Sequence, residues 1–237
     1  MNQVSLNTDF LLETLKLCLA GIPVTVGLTI ASILIAILPA LGICVIRTRN
    51  VPVWSFLCKL YVSFIRGTPV VVQIFIVYSL IPTVLNAFSK TFNLHWNVFD
   101  TPPIIYAVVV FGLHSAATLS ELFRSALMSV SQDQLDGALA LGLKRSQALI
   151  FVLLPQAAIL AIPNFCNLFL ALLKETSLSF IMTVKDVSAI AKIQAAYTYN
   201  YIEAYIDIFF IYLILCSIFQ LGFFLLEKKV LPAGNLA

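Results

Sequence analysis

Apolar residues run through this chain in long intervals that no Asp, Glu, Lys or Arg interrupts. Five of them, 17–46, 67–89, 101–120, 146–173 and 208–226, come close to or exceed the roughly 20 residues of helix that a bilayer core requires. With flanking turns included, the pattern predicts membrane-spanning helices over about 15–46, 60–89, 101–128, 146–173 and 204–227. The first and fourth exceed the minimum length, so tilting or bending is expected of them. Pro155 and Pro163 mark the fourth in particular for a bend. Two connections are too long for simple turns. Pro82–Pro102 carries Asn86, Asn93, His95, Trp96 and Asn97 and reads as an outer interfacial loop. Lys174–Asp207 alternates short apolar pieces (180–184, 187–190) with charges. It reads as irregular backbone packed partly into the bundle, since such backbone must be shielded at membrane depth.

The expected fold is an all-α integral membrane protein, a five-helix bundle forming one domain over residues 1–237. Composition agrees: 61% of residues are hydrophobic and 11% charged, with a mean hydropathy of +1.01. Soluble domains are about a quarter charged, so this chain has too little polar surface to cover a core in water. The net charge of +3 gives no case for a nucleic-acid partner. With the N-terminus outside, the inner side holds Arg47, Arg49, Lys59, Arg66, Arg124, Lys144, Arg145, Lys228 and Lys229. The outer side then holds Lys16, Lys90, Lys174, Lys185 and Lys192, and this imbalance favours N-out, C-in. Asp9, Glu13 and Lys16 precede the first apolar run instead of a basic segment, so that run is expected to remain as a helix. Cys18, Cys44, Cys58, Cys166 and Cys216 have no CxxC spacing and read as small buried hydrophobes. His95 and His114 have no neighbours at ligand spacing, and no metal site is expected.

Between the third and fourth spans, Ser131 with Gln134 fits a capping box, and Gly142 suits a left-handed helix stop. This predicts a helix over Gln132–Leu141, about 15 Å long, with Leu135, Ala138, Leu139 and Gly142 on one side. A short amphipathic helix there fits either the headgroup layer or a contact with another protein. The order Asp136-Gly137-Ala138, three residues, Gly142, nine residues, Val152-x-Leu154-Pro155 resembles the EAA loop of ABC importer permeases. Asp, Gly and Val replace the usual Glu, Ala and Ile, and Gly137 weakens the helix by about 1 kcal/mol relative to Ala.

Three further segments look like the polar amino acid branch of that family. They are Arg66-Gly67-Thr68-Pro69 with Gln73; Ala116-Ala117-Thr118 with Glu121 and Arg124, where Thr118 replaces a tyrosine; and Lys174-Glu175-Thr176-Ser177-Leu178. The resemblance implies a type I importer permease in the bacterial cytoplasmic membrane, moving a polar amino acid, with cystine one candidate. It also implies a second permease subunit, identical or related, two ATP-binding subunits and an extracytoplasmic solute-binding protein. The loop becomes a cytoplasmic coupling helix, with Asp136, Gly137, Ala138, Gly142, Leu154 and Pro155 as the ATPase-coupling residues. No cofactor is expected on this chain, ATP and Mg belonging to the partner subunit.

Gly137-x4-Gly142 followed by Leu143-Lys144-Arg145 is not a Walker A sequence, because Lys does not follow Gly directly and no Ser or Thr comes after it. No G-x-S-x-G or HExxH appears either, so the chain is not expected to be an enzyme. Ionisable groups near spans usually face a bundle interior or cavity. On the third helix, His114, Ala117, Glu121 and Arg124 share a face. Glu121–Arg124 reads either as a lock on the inner end of that helix or as a cavity wall offering both signs of charge to a zwitterion. Arg66 and Gln73, seven apart, share a face of the second helix. Lys174 ends the fourth in a pathway or packing role, and Thr176 and Ser177 offer hydroxyls to the pathway or to a helix cap. Two other function classes compete. An ion-coupled secondary transporter would call for inverted repeats or interrupted helix pairs, which the sequence does not display. A non-transporting assembly subunit would share the absence of chemistry.

Overall fold

Gly21 and Pro23 interrupt the first apolar run, because proline has no N–H with which to continue the preceding helix. The computed structural model describes residues 6–92 and 100–230, and there the run divides into α1 (Thr8–Leu19) and α2 (Ile22–Thr48). The predicted 15–46 helix is thus α2 plus the last turn of α1. Asn7 caps α1 by accepting from the Phe10 amide at 3.0 Å. Phe10, Thr14 and Cys18 form its buried stripe, packed toward the C-terminal half of the chain. At the break, a Cβ on Gly21 would lie 2.6 Å from the Val187 nitrogen. Only glycine admits that approach of two backbones.

The predicted second helix is also two. α3 (Trp54–Gly67) ends at Thr68, which is extended, and Pro69 leads into α4 (Val70–Thr91). The residue before a proline avoids helical geometry, so the break has a local cause that continuous apolarity conceals. α4 carries on through Pro82 to Thr91, so much of the expected outer loop is helical. Asn93, His95, Trp96 and Asn97 lie outside the described residues.

α5 (Pro103–Met128) runs beside α2 in the same direction. Leu28, Ala36 and Ala40 of α2 meet Ala107, Phe111 and Leu119 of α5 in the apolar core. α6 is Gln132–Ala140, one residue shorter than predicted. Its Ser131 cap accepts from the Asp133 amide at 3.3 Å, in place of the predicted reciprocal bond with Gln134. Gly142 has φ +86° and ends the helix, with its amide bonded to the Leu139 carbonyl and that of Leu143 to Ala138. These are the two bonds of a Schellman stop.

The fourth span is α7 (Arg145–Ala148), a π-turn (Leu149–Leu153) and α8 (Leu154–Glu175), continued by a 3-10 helix over Thr176–Met182. Pro155 cannot donate to Phe151. Just before it the Leu154 amide reaches back five residues to Leu149, the widened turn that defines a π-bulge. The predicted irregular stretch after Lys174 is largely helical: besides the 3-10 helix it contains α9 (Val187–Thr198) before α10 (Tyr201–Val230). Its predicted partial burial holds, with Val184, Asp186, Val187 and Ala191 inside. Among the described residues, five helices, at Ile22–Thr48, Val70–Thr91, Pro103–Met128, Arg145–Met182 and Tyr201–Val230, are long and apolar enough to cross a membrane.

Candidate solute path and coupling site

Ile35 and Gly112 meet near the midpoints of α2 and α5, and His114 lies close to that crossing, near the middle of α5. The Thr68–Pro69 break frees backbone carbonyls, and Gln73 takes two of them: its Nε2 donates to Ile65 at 2.7 Å and to Thr68 at 3.0 Å. Its Oε1 therefore faces His114 Nδ1 at 3.2 Å. An amide oxygen only accepts, so Nδ1 carries the proton. His114 Nε2 in turn faces Glu175 Oε2 at 3.6 Å. Gln73 and His114 thus tie the α3–α4 break to α5, with Glu175 at the end of α8 beside the far edge of the ring. Gln73 and Arg66 do not share a helix face, because the break separates them.

About two turns further along α5, Glu121 is shared by two guanidinium groups. Arg124 donates to its Oε2 from Nε at 3.0 Å and Nη2 at 2.9 Å, and Arg47 Nη1 donates to Oε1. Glu121 therefore joins α2 to α5 and also holds Arg124 in place. Arg66 lines two cavities against this group. One, of about 490 Å3, includes Arg47, Lys59 and Glu121. The other, of about 430 Å3, includes Thr118, Glu121, Ser125, Asn164 and Asn167.

Lys174 and Ser177 do not join this region. They line a separate cavity of about 580 Å3 with Lys192, Tyr205, Tyr212 and Gln220, on the α10 side of α8. Thr176 is buried, and its hydroxyl donates to the Leu173 carbonyl at 2.7 Å as a helix-end cap. Sequence reasoning overlooked Arg47, Asn164 and Asn167 as site residues. The two asparagines, three apart in the otherwise apolar stretch 157–173 of α8, were a readable signal. Arg47 was not, since its partner is 74 positions away.

Outside the spans, buried Asp186 caps α9 by accepting from the Ala189 amide at 2.8 Å and accepts from the Tyr212 hydroxyl at 3.3 Å. Burial raises its carboxyl to about 6, against the opposing pull of those hydrogen bonds and of Lys192.

At the other end of the bundle, Leu135 and Ala138 of α6 pack on Ala148 and Leu153. Asp136, Gly137 and Gly142 stay exposed, with Leu139 at 40% and Leu141 at 86% exposure. α6 is thus anchored to the π-turn by one face and open to a partner on the other. Leu154 and Pro155 stand apart from that face: Leu154 lines an apolar cavity and Pro155 gives rise to the π-turn.

The family described as the binding-protein-dependent transport system inner membrane component matches residues 32–232. The chain belongs to this family. It is 34% identical to the probable amino-acid permease protein YxeN of Bacillus subtilis over 95% of this chain and 96% of that one. To the L-cystine transport system permease protein TcyL of the same organism it is 33% identical, over 89% and 86%. The fold is similar to that in a crystal structure of an amino acid ABC transporter with histidines. There the TM-score is 0.81 at 25% identity, over 95% of this chain and all of that one. This chain is accordingly a multi-pass inner-membrane permease subunit of an ABC-type transport system that works with a binding protein and a separate ATPase. It is not itself an enzyme.

Proposed function

We propose that this permease imports polar amino acids, cystine among them, across the bacterial cytoplasmic membrane, with its N-terminus outside and its C-terminus inside. Two of the relatives are named for L-cystine transport, and others for arginine, octopine and nopaline. All of these solutes carry both an amine and a carboxylate. The cavity between α3, α5 and α8 suits that chemistry, with Arg66 and Glu121 supplying opposite charges and Asn164 and Asn167 supplying amides. His114, Gln73 and Arg124 hold its walls, while Lys174 and Ser177 line the separate cavity on the α10 side of α8 and take no part in this route.

Two permease subunits, identical or related, form the pathway, and an extracytoplasmic solute-binding protein delivers to it. Two ATP-binding subunits, carrying ATP and Mg, dock at Asp136, Gly137 and Gly142 on the open face of α6, while Ala138 seats that helix on the π-turn. Leu154 and Pro155 pass the motion on through the π-turn. The observation that carries this reading is the anchored, half-exposed α6 at the end of the bundle opposite α1 and α9.

The test is uptake by the assembled transporter in proteoliposomes, with labelled L-cystine, L-arginine and a sugar. Saturable, ATP-dependent uptake of one of the amino acids is expected, and Asn167→Ala should raise its apparent KM with assembly intact. Uptake driven by an ion gradient without ATP would contradict the reading, as would a preference for the sugar.

A further inference from the structure

At the α6 end of the bundle, a cavity of about 470 Å3 opens between α2, α5, α8 and α10. Its floor is buried, formed by Cys44, Leu122, Ala126 and Ala157. Its rim is apolar and exposed, with Leu41 at 43%, Val45 at 49%, Leu154 at 45% and Leu226 at 49%. No lining side chain carries nitrogen or oxygen. Protein interiors are close-packed, and an open space with wholly apolar walls suits a hydrocarbon chain.

Cations follow directly beyond the rim. Arg49 ends α2, Lys144 and Arg145 stand one turn before Leu149, and Lys228 and Lys229 follow Leu226 in the last turn of α10. All five are exposed, and none is in an ion pair among the described residues. Glu227 is the one carboxylate in that turn of α10. Basic clusters at a membrane surface attract anionic headgroups. We propose that this end of the bundle binds an anionic phospholipid, one acyl chain in the cavity and the phosphate against Lys228, Lys229 and the Lys144–Arg145 pair. A zwitterionic lipid fits the cavity equally but not its rim. The chain would lie against Leu149, the first residue of the π-turn between α7 and α8, and Leu154, the residue that follows it. The lipid site rests on the cavity and its cations and is independent of the transported solute.

The test uses the assembled transporter in phosphatidylcholine nanodiscs doped with a phosphatidylglycerol that carries a diazirine midway along one acyl chain. After irradiation, crosslinks are mapped by peptide mass spectrometry. Labels should concentrate on 154–161 and 223–226 over exposed Leu34 and Leu38. Unlabelled phosphatidylglycerol should compete and phosphatidylcholine should not. Ala158→Trp, which fills the cavity, should remove the labels. Lys228→Gln and Lys229→Gln should each lower the preference for phosphatidylglycerol by about fivefold, a readout that does not depend on the tryptophan variant folding. Labels spread evenly over apolar surfaces would overturn the proposal, as would equal competition by both lipids. So would an unlabelled cavity in which cysteines at 154 crosslink two permease copies, because a protein would then be the occupant.

Discussion

Glu121 holds two arginines at once, and its loss would leave Arg47 and Arg124 facing each other without a counter-charge. Fully buried pairs lose about 3–5 kcal/mol when one partner is removed. These side chains keep 13%, 34% and 17% exposure for Arg47, Arg124 and Glu121, so Glu121→Gln should cost about 2–3 kcal/mol, a discount from that range. A thermal melt of the purified subunit measures it; an unchanged melting temperature combined with altered solute selectivity would favour the cavity-wall role over the lock. Asp186 offers a second residue-scale test. Its carboxyl is raised from 3.8 to about 6 in the folded protein, so the folded state binds a proton more tightly than the unfolded state. Its contribution to stability is fully present below about pH 4 and is lost as pH rises through about 6. Asp186→Asn, which keeps an oxygen for the Ala189 amide, should flatten the decline in melting temperature between those values. An equal decline in both proteins would show that other groups control it. His114, Glu121 and Arg124 were legible at this scale because helical spacing puts them on one face. Arg47 and Glu175 acquire their roles from contacts across the fold, which no local spacing reveals.

The π-turn and α6 work as one element, because Leu153 in the turn is part of the apolar seat of Leu135 and Ala138. Pro155→Ala restores a donor for Phe151 and favours an ordinary α-turn. Rewinding by one residue rotates what precedes it by about 100° and would carry α7 and α6 off their present orientation. Solute-stimulated ATPase activity of the assembled transporter should fall, with the subunit still inserted; full stimulation would mean the π-turn plays no part in transmission. Gly137 has open space around its missing Cβ, so Gly137→Ala should strengthen α6 by about 0.5–1 kcal/mol, read as slower amide exchange across Gln132–Ala140. Unchanged exchange would show that a partner or packing contact, not propensity, sets its stability. α6 was legible nearly to the residue because its cap and stop are local signals. The breaks at Gly21 and Thr68–Pro69 were hidden because apolarity runs across them. The 3-10 helix and α9 were hidden for the opposite reason: mixed charges there suggested loop, whereas Asp186 supplies a cap and the bundle shields the backbone.

Across the whole molecule, five spans with opposite ends on opposite sides predict that a cysteine introduced at position 3 is labelled by an impermeant reagent from outside and one at position 235 is not. The reverse pattern would invert the topology, and matching accessibility would require an even number of spans. The central claim is that force from a partner ATPase enters through α6. Gly142 bears on it twice, since its φ of +86° ends the helix and its exposed, side-chain-free surface admits a partner closely. The most direct measurement is co-purification of the ATPase with the Gly142→Asp variant, paired with uptake. Loss of ATPase together with loss of uptake, in a subunit that still inserts all five spans, is the predicted result. Full ATPase retention with normal uptake would contradict the account.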